Sequence, residues 1–177
     1  NITFENITIR KTRYAMALFM MDGGSYQDIM FKNIDAETGA RHAQEYGVFI
    51  DIHQRSEDAP VGQIEHVRFQ DCKIKTRGSF YVSVHPRHNL KNITFDTIDI
   101  VFDGHLNNSS WQKPKGNKKI RQWRTTADYV RENGKFIMAN AENVYFKNLT
   151  VTSAIPDSTA IFWRKNVSLD TVNVKIQ

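Results

Sequence analysis

NITFENITI, residues 1–9, decides the fold. An Asn stands before each of two short alternating runs rich in Ile and Thr. Alternation at period two with β-branched residues is strand patterning, not helical patterning. The phrase returns as QDIMFKNIDAE (27–37), EHVRFQDCKIK (65–75), KNITFDTIDIV (91–101), ENVYFKNLTVT (142–152) and KNVSLDTVNVK (165–175). Aligned at their first polar corner, the six copies start at Asn1, Asp28, His66, Asn92, Asn143 and Asn166, so the successive steps are 27, 38, 26, 51 and 23. The short steps read as one repeat unit and the long ones as units carrying insertions.

Between the phrases lie further strand-like segments: YAMALFMM (14–21), YGVFIDIH (46–53), SFYVSVH (79–85), GKFIMAN (134–140) and STAIFWRK (158–165). A short step holding about three such strands predicts an all-β chain. Its architecture is expected to be a right-handed parallel β-helix, a single domain over 1–177 with one insertion at about 103–134. Each coil buries its apolar face only by stacking on its neighbours. Asn suits the corners, because it tolerates a left-handed backbone and its amide can bond the same corner in the next coil. An antiparallel sandwich is the main rival, but two-residue Asn-Gly hairpin signals are scarce. A stack opening directly on a coil exposes a raw end, so earlier coils are expected upstream of Asn1.

The formal charge of +5, from 24 Lys and Arg against 19 Asp and Glu, suits an anionic polymer or an ordinary solvated surface. No basic stripe interleaved with aromatics occurs, so no nucleic-acid partner is expected. No apolar run reaches the length of a membrane span, and no membrane partner is expected. Cys72 is the only cysteine. It can form neither an intramolecular disulfide nor a cysteine-based zinc site, and its apolar neighbours predict a buried, inert thiol.

The coil phrases, the segment GVFIDIHQRSEDAPVGQIEHVRFQDCKI (47–74) and the run ADYVRENGKFIMANAENVYFKNLTV (127–151) resemble the C-terminal half of glycoside hydrolase family 28-like proteins. These are the polygalacturonase-type members of the pectin-lyase-like β-helix superfamily. The resemblance spans nearly the whole chain. It implies a carbohydrate-active protein in an extracellular or periplasmic setting, with a polysaccharide or oligosaccharide as substrate and no cofactor. It also implies inverting hydrolysis of a pectin-type or related plant polysaccharide, in which one carboxylic acid protonates the leaving oxygen and a second carboxylate activates water. The family motifs Asn-Thr-Asp, Asp-Asp and Gly-His-Gly do not occur in this chain, and Gly104-His105-Leu106 opens the insertion instead. The catalytic residues are therefore expected upstream, with none in this chain. Leu18-Phe19-Met20 holds the place of the family's Arg-Ile-Lys, which removes the cations that would bind a sugar carboxylate. A polysaccharide lyase on the same fold, or a non-catalytic binding or adhesion β-helix, are the alternatives.

Substrate contacts are expected at His53 and Arg55 in the polar run HQRSED (53–58), and at His85 and Arg87 in HPRH (85–88). Loops on a rigid scaffold are where binding residues collect. Asp51 and Asp58 read better as a strand residue and a loop residue than as a catalytic pair. His85 and His88 lack a third ligand, so no metal is expected. In the insertion, Trp111, Trp123 and the cations around them suit either sugar stacking or packing on the flank, with a short helix in TADYVREN (126–133). The Asn-x-Ser/Thr strings fall mostly on the corners and are read as corner chemistry, not glycosylation.

Overall fold

The computed structural model describes residues 1–39, 45–54, 58–104, 106, 129, 132–155 and 158–177, with the backbone alone at His53. Nearly all of the expected insertion, including its Trp and Lys residues and most of the TADYVREN segment, lies outside the described residues. So does Arg55.

Nine strands are described: β1 (Ile2–Thr12), β2 (Tyr14–Met21), β3 (Gly24–Thr38), β4 (Tyr46–His53), β5 (Gly62–Thr76), β6 (Ser79–Ser83), β7 (Asn89–Phe102), β8 (Gly134–Ser153) and β9 (Ala160–Ile176). Among the described residues there is no helix. The strands form one sheet in the order β1-β3-β5-β7-β8-β6-β4-β2, with β9 also pairing β8. Every pairing of the described strands is parallel. The all-β, parallel expectation therefore stands, and the antiparallel sandwich is overturned.

Each repeated phrase lies within one long bent strand rather than two, and in β8 and β9 the segment expected as a separate strand before the phrase runs on into it. The bend is made at a left-handed corner. Asn6, Asn33, Asp71, Thr97, Asn148 and Asn173 occupy equivalent register positions, all with φ between 51° and 60°. The corner reverses the alternation of faces. In β3, Ile29 and Phe31 are buried before Asn33, and Ile34 and Ala36 are buried after it. Both arms of the bent strand thus turn their apolar residues to one side. Asn33 Nδ2 donates to Asn6 Oδ1 at 2.6 Å, and Asn173 Nδ2 donates to Asn148 Oδ1 at 3.0 Å. A second row of corners holds Asp28, His66, Asn92 and Asn143, also at positive φ, and here Asn143 Nδ2 donates to Asn92 Oδ1 at 3.0 Å.

The register corrects one alignment. Asn166 does not continue the row of Asn143. Ala139 pairs with Lys165 and Ala141 with Val167, which sets Asn166 opposite Asn140, while Val144 pairs with Leu169. The bulge between these pairings absorbs one residue, so two corners on β8 face a single corner on β9. Asn166 therefore follows its true predecessor Asn140, and Asn173 follows Asn148, each bonded to it through the side-chain amide.

One core joins the two ladders. Phe4, Phe31, Phe69, Phe95 and Phe146 stack in a column with successive ring centroids 5.0, 5.1, 4.7 and 4.6 Å apart. From the other ladder, Phe80 meets Phe95 at 6.3 Å and Phe136 meets Phe146 at 5.1 Å. Cys72 continues the column of Ile34 and Ile98 and is 1% exposed. Burial pushes its thiol up to about 11, as expected of an inert core cysteine.

Candidate functional site

The ladder β2-β4-β6-β8-β9 has a second, outer face. In β2, Met16, Leu18 and Met20 are buried in the core, while Ala17, Phe19 and Met21 face out and are exposed. Of Leu18, Phe19 and Met20, only Phe19 therefore reaches the outer face, at 42% exposure. Phe19 is in register with Asp51, and Met21 with His53.

Asp51 sits between the core residues Ile50 and Ile52, and so lies on the outer side, yet it is fully buried. It belongs beside an outer aromatic cluster of Tyr46, Phe49, Tyr81 and Ile137. Tyr14 stacks on Tyr46 at 5.5 Å and Phe49 on Tyr81 at 5.2 Å. Burial raises the phenol pKa of Tyr46 and of Tyr14, and the negative charge of Asp51 adds to both shifts. Asp58, by contrast, is exposed. The two aspartates occupy unlike environments, in keeping with the reading that they are not a pair.

The two polar runs singled out in the sequence are tied together. The first follows β4 and the second follows β6. Ile50 pairs with Val82, the last pairing of the two strands before these runs. Arg87 Nη2 donates to the Ala59 carbonyl at 3.5 Å, and Gln54 Nε2 donates to the same oxygen at 3.4 Å. The Gly62 backbone N–H donates to His88 Nδ1 at 2.9 Å. Within the turn, His88 N–H donates to the His85 carbonyl at 2.9 Å, and Arg87 N–H donates to His85 Nδ1 at 3.3 Å. His85 is half-buried and Arg87 exposed, so both stand on the rim.

His88 differs from its neighbours. It is 4% exposed, and burial holds its pKa below the ordinary histidine value, with neighbouring His85 and Arg87 adding to the effect. Since Nδ1 accepts from Gly62, the neutral ring carries its proton on Nε2. Among the described residues Nε2 has no hydrogen-bond partner. No group of three or more potential metal ligands occurs among the described residues.

Behind the turn opens a polar groove of about 370 Å³, lined by Pro86 and His88 on one side and by Asn140, Glu142 and Asn166 on the other. Asn140 Nδ2 donates to the Val84 carbonyl at 2.7 Å, and Asn166 Nδ2 donates to Asn140 Oδ1 at 3.1 Å. The sequence reading marked His85 and Arg87 but missed the buried role of His88. It marked Gln54 only as part of the polar run 53–58, and it missed Asn140 and Glu142 as site residues. Asn166 carried a signal only as a corner residue, because the register that sets it opposite Asn140 is fixed by pairing between β8 and β9. No helix among the described residues is long and apolar enough to cross a membrane. Compared with family models, curated proteins and solved structures, the chain gives no match to any of them.

Proposed function

We propose that this chain is part of a right-handed parallel β-helix that binds a glycan across the outer face of the β2-β4-β6 ladder. The observation that carries this reading is an exposed aromatic ring on the outer face of a ladder whose third strand, β6, leads into a polar rim. Phe19 lies on the outer face in register with Asp51, and the rim holds His85 and Arg87. Carbohydrate sites combine an apolar platform with a few fixed polar groups, because a sugar ring has an apolar face and a polar edge. The rim is pre-ordered by the bonds to Ala59 and Gly62, which lowers the ordering cost of binding.

The sequence resemblance supplies the wider proposal. The whole protein hydrolyses a pectin-type or related polysaccharide by paired carboxylates, and this chain forms a wall of the cleft with His53, Arg55, His85 and Arg87 as substrate contacts. The outer face at Phe19 carries no cation in the place of Arg-Ile-Lys, so a neutral sugar suits that point better than a uronate. The test is calorimetric titration with neutral and uronate oligosaccharides. Alanine at Phe19, His53, Arg55 or Arg87 weakens binding at least threefold each. Unchanged affinity in all four variants removes this face from the site.

A further inference from the structure

We propose that the groove behind the 85–88 turn is a separate subsite for one neutral sugar ring or a similar small polyol. The proposal rests on the carbohydrate reading above and names the ligand class at one point of it. The groove's 370 Å³ lies at the low end of ligand sites, which run from roughly 300 to 1,000 Å³. That size suits a single sugar ring of a longer glycan.

Its chemistry is that of vicinal hydroxyls, each of which both donates and accepts. Lys91 and Glu142 stand opposite one another in register on β7 and β8, offering a donor and an acceptor. The Asn166 amide spends its N–H on Asn140, which in turn donates to Val84. This leaves the Asn166 carbonyl oxygen as the open acceptor end of the chain among the described residues. Pro86 supplies an apolar patch.

The charge balance selects against acidic sugars. The Lys91 ammonium lies 3.6 Å from Glu65, on the strand away from the groove's far wall. Glu142 is exposed and has no ion pair among the described residues. The Lys91 ammonium is thus committed to Glu65, and the Glu142 carboxylate repels a uronate entering the groove.

His88 fixes one wall of the groove. Its ring lines the groove with Nδ1 held by the Gly62 backbone N–H at 2.9 Å.

The experiment follows the side-chain amide signals of Asn140 and Asn166 in the ¹⁵N-labelled chain, titrated with lactose, cellobiose and digalacturonate. A neutral disaccharide shifts both signals saturably, and digalacturonate binds there at least tenfold more weakly. Glu142→Ala, at an exposed position, lowers neutral-sugar affinity at least fivefold. Glu142→Gln narrows the gap between neutral and acidic ligands. The proposal is overturned if no neutral sugar moves the two amides, or if Glu142→Ala leaves affinity unchanged. Loss of the Phe19 and Arg87 effects with an intact groove response would overturn the outer-face reading alone. A response at Phe19 and Arg87 without one in the groove overturns the subsite alone.

Discussion

The Gly62 backbone N–H donates to His88 Nδ1 across 2.9 Å and joins two loops that lie 26 residues apart in the chain. The bond exists only while His88 is neutral, because a protonated ring would set a donor against a donor. Burial, then His85 and Arg87, keep its pKa below the unfolded value. The unfolded chain therefore takes up this proton more readily than the folded chain. The stabilisation is complete above about pH 6.5, the unfolded value, and is lost as pH falls toward the lower folded value. Urea unfolding at pH 7.5 and pH 5 should show a lower midpoint at pH 5. Asn at position 88 keeps an acceptor near Nδ1 but cannot titrate, so His88→Asn should reduce this pH dependence. An equal drop in both proteins would assign the effect to other groups.

The corners rest on backbone conformation more than on the amide bond. Asn33 has φ of 51° and donates to Asn6. Ala in the left-handed region costs roughly 1–2 kcal/mol. Gly adopts it freely and loses only the exposed side-chain bond. Asn33→Ala should therefore be clearly less stable than Asn33→Gly, as read from urea midpoints at constant m-value. The reverse order would mean that the ladder bond dominates.

The aromatic column should show a strong dependence on position. Phe95 is fully buried between Phe69 and Phe146. Phe95→Ala should cost about 3–5 kcal/mol. Phe4 stacks on Phe31 in the same column but is 41% exposed in this chain. Phe4→Ala should cost about 1 kcal/mol or less, because little area is withdrawn from water there. Similar losses from the two variants would contradict the stacked order of the column.

Much of this was legible in the sequence, and the limits have physical causes. The bounds of β2 and β4 follow directly from YAMALFMM and YGVFIDIH, because a short apolar run bounded by polar residues is a local property. The corner residues were legible for the same reason. Asn166 was misplaced because KNVSLDTVNVK sets its two corners, Asn166 and Asn173, farther apart than the other phrases do, as in Asp28 to Asn33. The register there is settled by pairing across β8, which no local pattern reports. The polar runs at 53–58 and 85–88 were visible as composition, but their bonding to each other was not. It depends on the register that sets Ile50 beside Val82 and on a backbone donor, Gly62, that has no side-chain signature.

Cys72 offers a simple check on the packing. Its thiol is held at about 11 by burial, so the thiolate is scarce at pH 8. A disulfide reagent at that pH should fail to label the native chain and should label one thiol per chain in denaturant. Rapid labelling without denaturant would show that the column of Ile34, Cys72 and Ile98 opens readily.

The most direct measurement of the central claim is a calorimetric titration of the intact chain with a panel of neutral and uronate oligosaccharides. The account predicts saturable binding of a neutral oligosaccharide in preference to the uronate, weakened at least threefold by Phe19→Ala and by Arg87→Ala. Absence of heat with every oligosaccharide, confirmed by unshifted backbone amide signals at Phe19 and Arg87, would contradict it.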